Sequence, residues 1–380
     1  MKKSLLIVAG ETSGDKHAAH LVESLKAMGE VHVVGIGGDR MKAAGVHLLH
    51  HVKEMSVMGF SEIITRLPFF RKVRHDLLLA VQNEKPSAVI LVDYPGFNLR
   101  FAKQAKKNGL KVIYFISPQI WAWGKKRIKK IRTTVDLMLT IFKFEEAMYE
   151  KENVNAHFIG HPLLDEIKIP DAAEVKDFRQ RFSKSSCSKF IALLPGSRLQ
   201  EINRILPTML GAVKILDEEL KKDGIELKAV VGCAPGIDKK VYEEIIPANG
   251  INVQLSQEVE LLMNSADAGI VTSGTATLES ALHDLPILVV YKTSIVTYFI
   301  GKLLVKLKSI SLVNIVAGQK IVEELVQFDF KPNEAAAILK DILINSHVSD
   351  EIRKKYSELR KILGGPGASD RAAELILKMI

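Results

Sequence analysis

Aromatic side chains make up only 6% of this 380-residue chain, so its core must be built mainly from aliphatic residues. Cysteine is nearly absent. Cys187 and Cys233 stand far apart and outside any C-x-x-C spacing, which implies neither a disulfide framework nor a zinc site and suits a reducing compartment. Long apolar runs are also missing. No window offers the ~18 uninterrupted apolar residues of a membrane span, and the richest, around Ile295 to Leu307, carries Lys302 and Lys306. The opening M-K-K-S-L-L-I-V-A-G-E has too short an apolar run for a signal peptide and ends in Glu11 without a cleavage region, so it reads as a first β-strand. The histidines (His17, His20, the His50-His51 pair, His161) have no metal-ligand spacing, and His161 is taken as structural. A protein that is soluble or attached to a surface is expected, in the cytoplasm and without a metal or other cofactor.

What is present is globular composition, 47% hydrophobic and 26% charged, in a chain long enough for two domains. The net charge of +9 favours anionic partners: nucleic acid, phospholipid headgroups or phosphorylated metabolites. The lysines are scattered, with no aromatic strand code or DNA-reading motif, so nucleic acid ranks last.

Short β-branched runs alternate with helical patterns. The expected strands in the first half are Leu5–Ala9, Val31–Ile36, Ala88–Val92, Lys111–Ile116, Leu137–Phe142 and Ala156–Ile159. The pattern pauses between about Leu163 and Lys189. It then restarts with Phe190–Leu194, Leu227–Val231, Val253–Leu255, Gly269–Thr272 and Ile287–Tyr291, and from about Pro332 only helices follow. Continuous apolar strands separated by helices mean parallel sheets covered on both faces. The reading is an α/β protein with two Rossmann-like domains, residues 1–165 and 166–345, and a helical tail, residues 346–380.

In open parallel sheets ligands collect at the carboxyl ends of strands, so five loops matter. Gly10-Glu11-Thr12-Ser13-Gly14-Asp15 brings two glycines and small hydroxyls to a helix start, suited to an anion; it could equally be a tight turn capped by Ser13 or Asp15. Asp93, before a Pro-Gly turn, could act as a general base or merely bond turn amides, with Asn98 capping the next helix. Trp121 and Trp123 make an apolar or stacking platform, or a plug. The Leu194-Pro195-Gly196-Ser197-Arg198 loop offers backbone donors and a guanidinium for a diphosphate, unless Arg198 simply pairs with Glu201. Ser273-Gly274-Thr275 runs into a helix carrying Glu279, where a phosphate could sit on the helix end and a ribose on the carboxylate; the plainer alternative is a capping box. One further segment interleaves Ile64, Leu67, Phe69 and Phe70 with Arg71 and Lys72, which suits contact with anionic lipid, or else is a helix whose apolar face is core.

Taken in order, A-G-E-T-S-G-D, V-M-G, D-x-P-x-F-N, S-P-Q-I-W-A-W, F-I-G-H-P, L-L-P-G-S-R, S-G-T-A-T-L-E and S-L-V-N-I-V-A-G make the chain resemble the lipid-A-disaccharide synthases over nearly its whole length. That resemblance implies the GT-B fold, with a cleft between the two domains, and an inverting transfer of 2,3-diacylglucosamine from its UDP derivative to 2,3-diacylglucosamine 1-phosphate (lipid X). The product would be a β-1,6 disaccharide, with UDP released and the enzyme peripherally attached to the inner membrane. By the same resemblance Asp93 is the base; Arg198, Ser273, Gly274 and Thr275 hold the UDP phosphates and Glu279 the ribose. Gly10, Ser13, Gly14, Asp15, Asn98, Trp121 and Asn314 would line the cleft. The tail would pack back on the first domain, and a homodimer is left open. Val313, Gln319 and Glu323 depart from the family pattern of Pro, Arg and Pro, so Gln319 is given no role. Other GT-B relatives, a UDP-N-acetylglucosamine epimerase or the peptidoglycan transferase, are the alternative.

Overall fold

A computed structural model describes residues 3–55, 67–121, 124, 127–183, 188–247, 253–304 and 309–380. The chain forms two compact units, Met1–Asp165 with Leu363–Ile380, and Glu166–Ile362. In the first unit lie β1 (Lys3–Ala9), β2 (Val31–Gly37), β3 (His47–His51), β4 (Ala88–Val92), β5 (Lys111–Phe115), β6 (Leu137–Thr140) and β7 (Ala156–Phe158). They pair in the order β3-β2-β1-β4-β5-β6-β7, every neighbour parallel. The second unit has β8 (Lys189–Leu194), β9 (Leu227–Gly232), β10 (Gln254–Ser256), β11 (Ala268–Thr272), β12 (Ile287–Tyr291) and β13 (Glu324–Val326), also all parallel, in the order β10-β9-β8-β11-β12-β13.

Both sheets reverse their strand order once, between β1 and β4 in the first and between β8 and β11 in the second. At such a switch point the connections leave in opposite directions and open a crevice at the carboxyl ends of the central strands. The loops singled out at Gly10, Asp93, Gly196 and Ser273 follow β1, β4, β8 and β11, the four strands flanking the switches.

The central strands are buried on both faces, and every residue of β4 and β11 is buried. Aliphatic clusters lie on each side of the first sheet. One gathers Leu6, Val8, Val73, Leu77, Val89, Leu91 and Phe101; the other gathers Leu5, Ile7, Leu21, Val22, Ile90, Ile113 and, from the chain's last helix (Ala368–Met379), Ala372, Ala373 and Ile376. That helix is fastened by Arg371, whose Nε donates to the Ile159 carbonyl at 2.7 Å, and by Asp165, which accepts from the amide of Ala368 at 3.0 Å.

Three features differ from the expectations or add to them. The tail changes units at Leu363 rather than at 346, because the helix Ser346–Ile362 buries Tyr356 and Leu359 in the second unit and Arg360 donates to the Leu282 carbonyl at 2.6 Å. The edge strands β3 and β13 were not foreseen. Phe69 and Phe70, read as lipid contacts, start the helix Leu67–Glu84 and are half-buried against the first core. Phe70 meets Phe97 with ring centroids 6.1 Å apart, and Phe69 meets His50, also at 6.1 Å. Leu67, Arg71 and Lys72 are exposed, and Ile64 lies outside the described residues.

Ile376 is fully buried. Ile376→Ala should lower unfolding free energy by about 2–5 kcal/mol, the usual range for emptying a buried aliphatic site. Urea unfolding measures this, and a loss below about 1 kcal/mol would mean the last helix contributes little to the first core.

Candidate active site

After β4 the backbone enters an unusual turn. Asp93 and Tyr94 both hold left-handed conformations, with φ of 41° and 44°, before the helix Pro95–Lys107 begins. For residues other than glycine such conformations cost about 1–3 kcal/mol each and need external support. The support is visible. The Asp93 amide donates to the Phe115 carbonyl at 3.1 Å, while its carbonyl accepts the Tyr114 hydroxyl at 2.6 Å and Asn98 Nδ2 at 2.8 Å. Asn98 Nδ2 also reaches the carbonyl of Val92 at 3.1 Å and that of Val8 at 3.4 Å. The Tyr94 ring then lies over Gly10, where a Cβ would stand 2.2 Å from a ring carbon, so only glycine fits.

The Asp93 carboxyl is held well above the ordinary carboxylate range. Burial, reinforced by the negative charge of Glu11, pushes its pKa up to about 6, against the opposing pull of the Tyr94 amide and His17. A carboxylate with a pKa near working pH holds a proton firmly once taken yet is largely ionised beforehand, the property a general base needs.

Other expected cleft residues behave differently. Asn98 is fully buried and its amide nitrogen is committed to three carbonyls, which positions the turn, while its Oδ1 has no hydrogen-bond partner among the described residues. Asp15 is also buried; its carboxylate accepts from the amides of Gly38 at 2.6 Å, Met41 at 3.1 Å and Arg40 at 3.2 Å. It therefore caps the short helix Asp39–Ala43 from a distance in sequence. Gly14 is buried in the helix Thr12–Met28, where an added Cβ would lie 3.6 Å from Ala9 and 3.7 Å from Val92; Ser13 is exposed in that helix's first turn. Trp121 donates its indole N–H to Glu145 Oε1 at 2.9 Å and stands edge-on to Phe144. Trp123 lies outside the described residues. Glu145 is buried, and burial lifts its pKa to about 7 despite the Ser117 hydroxyl and the indole.

In the second unit, Gly196 has φ of 115°, and a Cβ there would meet Glu201 Oε2 at 2.6 Å. Glu201 accepts the Ser197 amide at 3.2 Å and pairs with the Arg198 guanidinium at 3.4 Å. The acid pairing foreseen as an alternative for Arg198 is therefore present. It is a light tether, however, because the Arg198 side chain is 79% exposed and such pairs contribute little. After β11, Gly274 opens the helix Thr275–Leu282 without a side-chain cap, and Gly274 and Thr275 are exposed, so first-turn amides face outward. Ser273 is less available, since its hydroxyl donates to the Ile310 carbonyl at 2.8 Å. Glu279 is half-buried on the same helix.

Asn314 belongs to an internal network. It is buried, its Oδ1 accepts the amides of Ile321 at 2.7 Å and Val322 at 3.0 Å, and its Nδ2 donates to the Val322 carbonyl at 2.9 Å and to Glu324 at 2.7 Å. Glu324, not foreseen, also accepts the amides of Ile310 at 2.9 Å and Ser311 at 3.1 Å. Together they staple residues 310–324, and through Ile310 the Ser273 loop. Of the family departures, Val313 is buried, Gln319 is exposed and Glu323 pairs with Lys320 at 2.6 Å.

This architecture, two parallel-sheet units with loops gathered at switch points, is that of the GT-B enzymes. A UDP-N-acetylglucosamine 2-epimerase from Neisseria meningitidis matches it with a TM-score of 0.65 at 14% identity, over 99% of this chain and 100% of that one. MurG from Acinetobacter baumannii matches with 0.60 at 15% identity over 100% of both chains. The family model described as lipid-A-disaccharide synthetase matches residues 5–379. The lipid-A-disaccharide synthase of Myxococcus xanthus is 39% identical over 99% of this chain and 97% of its own, and that of Syntrophus aciditrophicus is 40% identical over 100% and 98%. The chain belongs to the lipid-A-disaccharide synthase family, and it is a glycosyltransferase of lipid A synthesis.

If Asp93 must be ionised to act, turnover should rise with pH through an apparent pKa near 6. Glu11 raises that pKa, so Glu11→Gln should move the limb to lower pH. A pH profile of kcat/KM for both proteins tests this; a limb that stays put would detach it from Asp93.

Proposed function

We propose that this enzyme transfers 2,3-diacylglucosamine from its UDP derivative to the 6-hydroxyl of 2,3-diacylglucosamine 1-phosphate, with inversion. The acceptor oxygen attacks the anomeric carbon and gives its proton to Asp93. The bond from that carbon to the diphosphate oxygen breaks, its electron pair leaves with UDP, and a β-1,6 disaccharide 1-phosphate forms. The observation that carries this reading is the Asp93 carboxyl at the switch of the first sheet, held in a strained turn with its pKa raised to about 6.

The second unit supplies the grip on the leaving group. Arg198, the open amides at Gly274 and Thr275, and backbone donors of the Ser197 loop would take the pyrophosphate, where fixed donors stabilise developing negative charge without reorganisation. Glu279 would accept ribose hydroxyls, and Ser13 and Trp121 would contact sugar in the first unit. The Neisseria meningitidis epimerase has UDP-GlcNAc bound in its crystal structure, which supports a UDP-linked donor here. No described helix is long and apolar enough to cross a membrane. With two acylated substrates and a net charge of +9, the working location is the anionic face of the inner membrane, with Leu67, Arg71 and Lys72 offered to it.

Incubation with both substrates and mass detection should yield the disaccharide only when acceptor is present; product without acceptor would indicate epimerase-like chemistry instead. Asp93→Asn should cut kcat a hundredfold or more, the scale of lost general-base catalysis, with UDP affinity unchanged. Because the folded-state pKa of about 6 lies above the ordinary 3.8, stability falls as pH rises from about 4 to about 6, and above that the ionised carboxylate disfavours the fold by its full amount. The same variant should therefore melt higher than the parent at pH 8. Near-normal turnover would return Asp93 to a turn-holding role. Arg198→Ala should weaken UDP binding about tenfold or more, as loss of a charge-assisted contact; unchanged binding would remove Arg198 from the site.

A further inference from the structure

The helix Ile295–Leu304 in the second unit is amphipathic in the wrong sense for a core helix. Ile295 is 59% exposed, Val296 69%, Phe299 52% and Leu303 81%. At about 100° per residue these four positions fall within one arc of roughly 100°, so the apolar stripe faces outward. Phe328, 56% exposed, extends it, since its ring meets Tyr298 with centroids 5.8 Å apart. Elsewhere among the described residues, large exposed apolar side chains are scattered singly or in pairs, a pattern that needs no explanation.

Charge identifies the occupant. From Leu285 to Val322 the sequence contains no Asp or Glu, and it holds Lys292, Lys302, Lys306, Lys308 and Lys320. On the helix itself Lys302 is exposed at the rim of the apolar arc, its Nζ 6.0 Å from the Tyr298 ring centre. The helix itself has Lys302 and no Asp or Glu, so a second copy docking through it would bring two lysine-bearing helices together with no acid on either to offset them; the exposed acid nearest the patch is Asp329, beside Phe328. An anionic bilayer takes the apolar side chains and neutralises the lysines together. With ten residues the helix spans about 15 Å at 1.5 Å per residue, half of the ~30 Å hydrocarbon layer, so it would lie in the interface rather than cross it.

We propose that the outward face of the helix Ile295–Leu304, with Phe328, is a bilayer-docking surface of the second unit that inserts among anionic phospholipids. It rests on the lipid-directed reading above and gives the donor-holding unit its own membrane contact, separate from the segment around Leu67.

The test uses the full chain and vesicles of phosphatidylethanolamine and phosphatidylglycerol, beside vesicles of phosphatidylcholine alone. The combined variant Ile295→Ser, Val296→Ser, Phe299→Ser and Leu303→Ser should sediment with the anionic vesicles at least tenfold more weakly than the parent. It should keep the parent's melting temperature and its turnover on detergent-dispersed substrates. As an independent readout that leaves the apolar face intact, Phe299→Trp should add emission that shifts to the blue on addition of anionic vesicles, relative to the parent chain. Unchanged sedimentation of the serine variant, or no shift from the reporter, overturns the proposal. Equal binding of the parent to phosphatidylcholine overturns the part assigned to the lysines. Parent dimers that dissociate in the serine variant, with a lipid-insensitive reporter, would make the face a self-association surface instead. Vesicle binding without any disaccharide formation would sink the catalytic reading and leave this one standing.

Discussion

The carbonyl oxygen of Asp93 receives the Tyr114 hydroxyl at 2.6 Å and the Asn98 amide at 2.8 Å, and the site of the first unit depends on that grip. A fully buried parallel strand has to hand its chain to a helix without leaving polar groups unpaired. Here the hand-over passes through two consecutive left-handed residues, neither of them glycine. Released from Asn98 and Tyr114, the turn would relax toward ordinary backbone and swing the carboxyl away. Because the donors come from the next helix and the next strand, the strain is held by the fold itself. The same packing removes solvent from the carboxyl and so sets its pKa.

The second unit meets the same problem with different means. Gly196 absorbs the positive φ after β8, and Glu201 gathers the Ser197 amide and the Arg198 guanidinium one turn into the following helix. After β11, the Ser273 hydroxyl is tied to Ile310, which is tied in turn to the Glu324 carboxylate. Asn314 completes that cluster. Taking a carboxylate even half out of water is costly unless its acceptor sites are filled, and Glu324 has the Ile310 and Ser311 amides, the Ser311 hydroxyl and the Asn314 amide to fill them. The result is a rigid backing for a helix end whose own amides stay open.

The central strands were legible because apolar runs such as A-V-I-L-V admit only a doubly covered sheet, and the loops after them could be named from the sequence alone. What failed to show was anything settled by a partner distant in sequence. β3 is H-L-L-H-H, half-buried at an edge and too polar to stand out. β13 has three residues and takes its place only through β12. Within the interruption after Leu163, the helix Ala172–Phe182 has a full capping box at Asp171, and Arg179 binds Asp267 through two nitrogens; the acid lies 88 positions along the chain. The same blindness affected the site. Asp15, Asn98 and Asn314 have the residue types of ligands, and sequence offers no way to see that the Asp15 carboxylate, the Asn98 amide nitrogen and the Asn314 side chain already have internal partners.

Phe69 and Phe70 show the same dependence on distant partners. Aromatics among cations look like a lipid contact, yet burial depends on whether neighbouring elements offer partners, and Phe97, His50 and the first core do. The helix Ile295–Leu304 is the converse: strongly apolar and yet turned outward. Full exposure of a side chain of this size forgoes about 1.5–3 kcal/mol relative to burial, and four of them on one arc forgo several times that. Local violations of this kind persist where they serve a function and are compensated elsewhere. In a glycosyltransferase whose donor and acceptor both end in acyl chains, a unit that kept wholly to water would have to draw each lipid out of the bilayer before chemistry. On the docking proposed above, the apolar helix with Lys302 at its rim would remove that cost by letting the protein meet the lipids where they already lie.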